Sequence, residues 1–160
     1  MALNRQRLLL AVAALGVAAI AIALISQYAF GMQPCAWCVL QRLIVLLIAV
    51  SALWGAWGAG RARPVLGRTG ALVACLLALC GVAAAYYQYS VASNSFSCEL
   101  TFADRFMVAS GLDAHLPWIF GIFASCMDAR VEVLGLEYAL WSLLLFVILA
   151  ILSALAFLRA

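Results

Sequence analysis

The sequence has few charged residues, no lysine and a single histidine. Only 9% of its 160 residues are charged and 69% are hydrophobic, whereas an ordinary soluble domain is about 25% charged and about 45–50% apolar. A soluble chain of this length could not bury so much apolar surface in one core. No basic run or face is long enough to indicate nucleic-acid binding. Most of the surface must therefore face lipid, and the length suits one transmembrane domain, residues 1–160.

Four apolar segments are long enough to cross a bilayer. A hydrocarbon core about 30 Å thick needs roughly 20 apolar residues in a helix, and a chain in lipid must satisfy its own backbone hydrogen bonds. We therefore expect an all-α membrane protein, a four-transmembrane-helix bundle. The first segment is longer than the core of a typical signal peptide, so we interpret it as a retained span. The predicted spans are about residues 8–30, 39–57, 71–89 and 138–158.

The charge distribution predicts the orientation of these spans. All six acidic residues lie in the long loop between the third and fourth spans, together with two arginines. Six arginines lie outside both this loop and the predicted spans, without an acidic neighbour: Arg5, Arg7, Arg61, Arg63, Arg68 and Arg159. Cationic loops stay in the cytoplasm. Both termini and the loop of about residues 58–70 are therefore expected to be cytoplasmic, and the loops of about residues 31–38 and 90–137 periplasmic.

The long loop contains two apolar segments, Leu116–Phe123 and Val131–Leu136, that are too short to span. They would suit either segments that lie in the membrane interface, with Trp118 at headgroup depth, or a small packed cap over the bundle. His115 is expected to be a solvated surface residue.

Four of the six cysteines lie in the predicted outer loops. Cys35 and Cys38 form a C-x-x-C before the second span, and Cys98 and Cys126 bracket part of the long loop. The bacterial periplasm is oxidising, so disulfides are expected there. The other two, Cys75 and Cys80, lie within the third span and are expected to be small buried hydrophobic residues.

The C-x-x-C has the surroundings of a reactive thiol. This spacing is common in redox-active sites. Cys38 is expected near the N-terminus of a helix, whose dipole favours the thiolate, and Arg42, four residues on, shares its helix face. An arginine inside a membrane span usually has a partner or a function; the alternative for Arg42 is snorkelling to the headgroups.

Other interpretations of the cysteines remain open. Four outer thiols are enough for a zinc site, although such sites usually use two close pairs. A disulfide between Cys98 and Cys126 could be purely structural, stabilising the fold by roughly 3–4 kcal/mol. The alternative to an enzyme is thus a non-enzymatic membrane scaffold with structural disulfides or a zinc site.

The motif resembles a known family. The segment Pro34-Cys35-Ala36-Trp37-Cys38-Val39-Leu40-Gln41-Arg42 at the start of the second span is similar to the signature of bacterial disulfide bond formation protein B (DsbB). The outer Cys98 and Cys126, and Leu134-Gly135-Leu136-Glu137 leading into the fourth span, are also similar. The resemblance covers essentially the whole chain.

The resemblance implies a quinone-dependent thiol:disulfide oxidoreductase, multi-pass in the bacterial inner membrane, that supports disulfide bond formation. It implies redox disulfides Cys35–Cys38 and Cys98–Cys126. The implied partner is a periplasmic DsbA-like thioredoxin-fold oxidase, whose thiolate attacks at Cys98. Cys126 would then exchange with Cys35, and Cys38 would reduce ubiquinone or menaquinone from the membrane pool. No metal is expected.

The resemblance also implies quinone-binding residues, with two departures. Arg42 matches the arginine that supports quinone binding, and Gln41 stands where the family often has glutamate. Some members carry a histidine near the outer end of the third span, for which Gln88 is the best match here; a glutamine supplies no titratable proton. We expect the quinone near the outer interface of the first two spans and the mouth of the third, beside Gln27, Gln41, Arg42 and Gln88.

Overall fold

Four long helices dominate the computed structural model, which describes residues 4–92 and 101–159. They are α1 (Arg5–Phe30), α2 (Ala36–Gly60), α3 (Pro64–Ser90) and α7 (Tyr138–Leu158). Each is long and apolar enough to cross a membrane. The expected all-α, four-helix membrane fold is therefore confirmed.

Local signals set the helix ends. Asn4 caps α1, its side-chain oxygen accepting from the backbone N–H of Arg7 at 3.0 Å, and Gly31 ends that helix with φ 67°, a conformation that favours glycine. Pro64 occupies the first turn of α3, where its fixed φ suits a helix start. As a result, α3 begins at Pro64, whereas the hydropathy pattern placed the start of the span near residue 71.

The four helices form a ring in the order α1, α2, α3, α7, so that α1 and α3 lie diagonally opposite. Small residues allow α2 and α3 to approach closely: a Cβ added to Gly70 would lie 2.5 Å from the Cα of Gly55. Close backbone approach through small residues is a common way to pack helices in a membrane. The central core combines eight alanines with seven larger apolar side chains, among them the fully buried Phe146.

The chain between α3 and α7 covers the end of the bundle that carries Cys35 and Cys38, which we call the cysteine end. It contains three short helices, α4 (Phe102–Ser110), α5 (Leu112–His115) and α6 (Pro117–Phe120). Thr101 and Asp104 form a capping box at the start of α4. Ala103, Met107 and Phe120 are buried against the first turns of α2, so this part of the loop is a packed cap.

The second apolar stretch of the loop, Val131–Leu136, forms most of a short hairpin. Strands β1 (Glu132–Val133) and β2 (Leu136–Glu137) pair antiparallel. Leu134 and Gly135 connect them with φ 55° and 80°, the two positive φ values that a tight type I′ turn requires. Leu134 is 88% exposed, and Arg130 pairs with Glu137 across the hairpin base.

At the opposite end of the bundle, Arg5 is buried. Its Nε donates to the carbonyl oxygen of Ala156 at 3.1 Å, and its Nη2 donates to that of Arg159. The last carbonyls of a helix lack partners within the helix, and a cation there also favours the helix dipole. Arg5 therefore joins the start of α1 to the end of α7.

Candidate active site

The C-x-x-C forms the first turn of α2. The helix begins at Ala36, three residues before the predicted span, and Cys35 is its N-cap: the sulfur of Cys35 accepts from the backbone N–H of Cys38 at 3.4 Å. Both cysteines are thiols in the structure, and their Sγ atoms lie 2.9 Å apart. Cys35 is fully buried, while Cys38 is half-buried. Only Cys38 thus reaches an open space.

Trp37, between the two cysteines, anchors this turn. Its ring lies 4.8 Å from the ring of Tyr87 on α3 and 6.5 Å from that of Phe102 on α4, measured between centroids. The tryptophan is 7% exposed. The aromatic contacts fix the first turn of α2 against two neighbouring elements.

A third cysteine from the loop reaches the same turn. The backbone N–H groups of Phe123 and Ala124 both donate to the carbonyl oxygen of Pro34, at 3.0 and 3.3 Å. This connection holds the following segment beside the C-x-x-C, so that the Cys126 side chain interacts with Cys35. Cys98, the remaining predicted site cysteine, lies outside the described residues.

The thiols of Cys35 and Cys126 differ in acidity. Interaction with Cys126, followed by interaction with Cys38 and by burial, raises the pKa of Cys35. Interaction with Cys35 lowers the pKa of Cys126. Hydrogen bonding to the charged form of a group favours that form, so this pair favours the thiolate at Cys126 over the thiolate at Cys35.

Two buried glutamines adjoin the cysteines. Gln41 on α2 and Gln88 on α3 are each 5% exposed. The Gln41 Nε2 donates to the Gln88 Oε1 at 2.6 Å. The Gln88 Nε2 in turn lies 3.2 Å from the sulfur of Cys38 and 3.7 Å from that of Cys35. The structure thus brings both predicted glutamines together with the C-x-x-C.

Arg42 is buried and joins three elements. Its Nη1 donates to the Oε1 of Gln27 on α1 at 2.7 Å and to the carbonyl oxygen of Ile119 on α6 at 2.9 Å. Its Nη2 lies 3.4 Å from the carbonyl oxygen of Ala23. The whole Arg42 residue is 8% exposed, so its guanidinium is enclosed by the protein and does not snorkel to the surface. A second tie runs from the Tyr28 hydroxyl to the carbonyl oxygen of Trp118, at 2.8 Å.

Next to Cys38 lies a cavity of about 570 Å³. Its wall is largely apolar and comes mainly from α1 and α7, with Phe146 and Leu145 among the lining residues. The polar side chains that line it include Ser26, Cys38, Gln41, Arg42, Gln88 and Tyr138. An apolar cavity with a few converging polar groups is the usual form of a small-molecule site.

The cavity includes Gln41, Arg42 and Gln88 from the predicted location and extends beyond it. The sequence placed the ligand between the first two spans and the mouth of the third, but α7 and the hairpin residues Val133 and Leu134 form one of its walls. Gln88 is the α3 residue in the lining, and Gln27 supports Arg42 instead of lining the cavity. The reason is the ring order, because α7 closes the bundle next to α1.

Sequence reasoning missed Tyr138. This residue begins α7, lines the cavity and lies beside Ser26, within electrostatic range of Arg42 and Cys38. A tyrosine that directly follows the predicted loop gives no signal of its own. Only its place after Glu137, in the segment similar to the family, pointed to this part of the chain.

The remaining candidate residues lie away from this site. Cys75 is half-buried, with its thiol 3.8 Å from the carbonyl oxygen of Ala150. Cys80 is exposed on the outside of the bundle, because the five-residue spacing turns it away from the direction of Cys75. His115 ends α5 and is exposed.

Comparisons with known proteins give one consistent result. A family model described as "Disulfide bond formation protein DsbB" matches residues 5–156. The chain is 38% identical over 131 residues to "Disulfide bond formation protein B" of Pseudomonas syringae, covering 81% of this chain and 76% of the relative. It is 34% identical to "Disulfide bond formation protein B 1" of Pseudomonas fluorescens, covering 98% and 92%. It is 33% identical to "Disulfide bond formation protein B" of Burkholderia pseudomallei, covering 98% of this chain and 91% of the relative.

Proposed function

Because this chain belongs to the DsbB family of disulfide bond formation proteins, we propose that it is a protein dithiol:quinone oxidoreductase. Family membership itself establishes a role in disulfide bond formation, as a membrane disulfide oxidoreductase. The finer proposal is that the chain reoxidises a periplasmic DsbA-like partner of the thioredoxin fold and delivers the electrons to the quinone pool of the bacterial inner membrane.

The observation that carries this proposal is a row of three sulfurs leading to the cavity. Cys126 interacts with Cys35, the sulfur of Cys35 lies 2.9 Å from that of Cys38, and Cys38 lines the cavity. Thiol–disulfide exchange requires a thiolate to attack a neighbouring sulfur. The order of the three cysteines is the order in which such attacks would carry electrons to the cavity.

The proposed route begins at Cys98. A partner thiolate attacks the Cys98–Cys126 disulfide at Cys98, and the Cys126 thiolate leaves. Cys126 then attacks Cys35 of the Cys35–Cys38 disulfide, and Cys38 leaves as a thiolate. The second partner thiol releases Cys98, which reforms the bond to Cys126 and frees Cys35. Two electrons and two protons have then passed from the partner dithiol to the Cys35–Cys38 pair.

The cavity suits a quinone. Its apolar walls along α1 and α7 fit an isoprenoid tail, and Arg42, Gln41 and Gln88 lie where a carbonyl-bearing ring would face Cys38. When bound, ubiquinone or menaquinone would supply an acceptor for two electrons and two protons. The chain's own part is to hold the ring beside the sulfur, to exclude water with apolar side chains and to offer hydrogen bonds to carbonyl oxygen.

The proposed orientation follows from charge. The end opposite the cysteine end carries Arg61, Arg63 and Arg68 in or near the turn from α2 to α3, and cationic turns stay in the cytoplasm. The cysteine end then faces the periplasm, where a partner dithiol can reach the loop. Arg61 and Arg63 lie 4.2 and 5.9 Å from the ring centroid of Trp57, as suits a headgroup-level anchor.

The test is electron transfer from a reduced thioredoxin-fold dithiol protein to quinone, followed by stopped flow with the purified chain. We expect turnover only with added or bound quinone. The Cys38→Ser variant should abolish quinone reduction while its loop disulfide still reacts with the partner. Cys75→Ser is the matched control and should turn over normally. Normal turnover of Cys38→Ser would refute the route, and stoichiometric zinc with inert disulfides would favour the scaffold.

A further inference from the structure

The sulfur of Cys38 receives a hydrogen bond from a side chain that carries no charge. The Gln88 Nε2 lies 3.2 Å from that sulfur, within the range of an N–H donor to sulfur. Arg42 is the cation nearest in sequence, but its hydrogen bonds within the described residues go to Gln27 and to two backbone carbonyls. Arg42 therefore acts on the sulfur through its charge, whereas Gln88 acts through a directed bond.

Gln41 decides which end of the Gln88 amide faces the sulfur. A glutamine amide has acceptor lone pairs on its oxygen and two hydrogens on its nitrogen. The Gln41 Nε2 donates to the Gln88 Oε1 at 2.6 Å, so the nitrogen of Gln88 points the other way, toward Cys38 and Cys35. While Gln41 keeps its orientation, reversing Gln88 alone would set two NH₂ groups against each other and an oxygen against the sulfur.

Burial makes this orientation matter. Both glutamines are 5% exposed, so little water is available to replace a lost bond. Hydrogen bonds to a charged acceptor are about twice as strong as neutral ones, and a low dielectric strengthens them further. The favoured orientation therefore specifically stabilises Cys38 with a negative charge.

We propose that Gln88 is a catalytic residue that donates an amide hydrogen bond to the ionised sulfur of Cys38, and that Gln41 is the positioning residue that fixes the direction of that amide. This inference rests on the proposed function, since it concerns the sulfur that reacts there. It assigns an amide hydrogen of Gln88 to the sulfur rather than to the quinone, so that other polar side chains of the cavity, such as Arg42, Gln41 and Tyr138, are the groups for the ring.

The test measures the ionised fraction of Cys38 without any quinone. Reduced, quinone-free protein is treated with iodoacetamide, and alkylation of the Cys38 peptide is followed by mass spectrometry at pH 7 and at a high pH where the rate no longer rises. The ratio of the two rates reports the ionised fraction and cancels differences in access. The charged or titratable groups that face Cys38 are Cys35, Cys126, Arg42 and Tyr138, and they are unchanged in the variants.

We expect Gln88→Met to lower this ratio about tenfold, equivalent to about 1.4 kcal/mol. Gln41→Leu, which does not contact the sulfur, should lower it by a smaller factor. The double variant should show no further loss beyond Gln88→Met, because both changes remove the same bond. Gln6→Met, the same chemical change at the opposite end of the bundle, is the matched control and should leave the ratio unchanged.

A ratio for Gln88→Met within twofold of the unmodified protein would overturn the inference, as would additive losses in the double variant. If Gln88→Met does not fold, Gln41→Leu alone carries the test, and an unchanged ratio there refutes the positioning role. Electron transfer to quinone by the unmodified protein is measured separately. Its absence would refute the proposed function, and the alkylation ratio would still show whether the amide acts on the sulfur.

Discussion

A methyl group at position 81 should push the ring of Phe146 into the cavity and so reduce the cavity volume. Gly81 on α3 faces the ring of Phe146 on α7, and a Cβ added there would lie 2.1 Å from the Cδ1 atom and 2.2 Å from the Cε1 atom of that ring. Carbon atoms in contact prefer about 3.5–4.0 Å. The ring of a Gly81→Ala variant must therefore move by about 1.5 Å.

The displaced ring has little room except in the cavity. Phe146 is fully buried and lines the cavity, so a shift away from α3 takes it into that space. Overpacking a core usually costs about 1–3 kcal/mol. We expect Gly81→Ala to lower the free energy of unfolding by about this amount and to weaken quinone binding.

Both effects can be measured in detergent. Unfolding in mixed micelles, followed by tryptophan fluorescence, gives the free energy, and quenching of the same fluorescence by added quinone gives the affinity. Adding Phe146→Leu should restore much of the lost stability. Gly60→Ala is the control, because its Cβ would meet only the flexible end of Gln6, at 2.7 Å. Unchanged stability and affinity in Gly81→Ala would refute the reasoning.

Three further predictions concern the ties around the site and at the far end. Interaction with Cys35 lowers the pKa of Cys126, so the Cys126 thiolate persists below the pKa of an ordinary thiol and is lost as the pH falls through the lowered pKa. The Cys35→Ala variant should raise the pH midpoint of Cys126 alkylation more than Cys35→Ser, which keeps a hydrogen-bond donor. In an Arg42→Lys variant, the lysine lacks the planar set of donors by which the guanidinium holds α6, so hydrogen exchange of the backbone amides in α6 should become about tenfold faster. Unchanged exchange would contradict the role of the hydrogen bond from Arg42 to Ile119. Arg5→Met should lower the unfolding free energy by about 2 kcal/mol, whereas the exposed Arg7→Met should change it by less than about 0.5 kcal/mol.

Some of the site could be predicted because its signals are local. The C-x-x-C and Arg42 lie within two consecutive helical turns. The four-residue spacing alone places the Arg42 cation on the same helix face as the Cys38 thiol. Gln41 and Gln88 were named through the family resemblance, yet their contact joins residues 47 positions apart. Nothing in the spacing of α2 and α3 reveals which rotation of each helix faces the other.

The four spans followed from the sequence because the bilayer imposes one length on every crossing helix, and that length can be counted along the chain. The ring order of the helices was not contained in that count. The ring order depends on close contacts between small residues of different helices, such as that of Gly55 with Gly70, and these contacts exist only in the folded structure. The ring order places α7 beside α1, and α7 residues including Tyr138 therefore form part of the cavity wall. Apolar length and local motifs are therefore properties of the sequence, whereas the direction of an amide and the neighbour of a sulfur depend on tertiary packing.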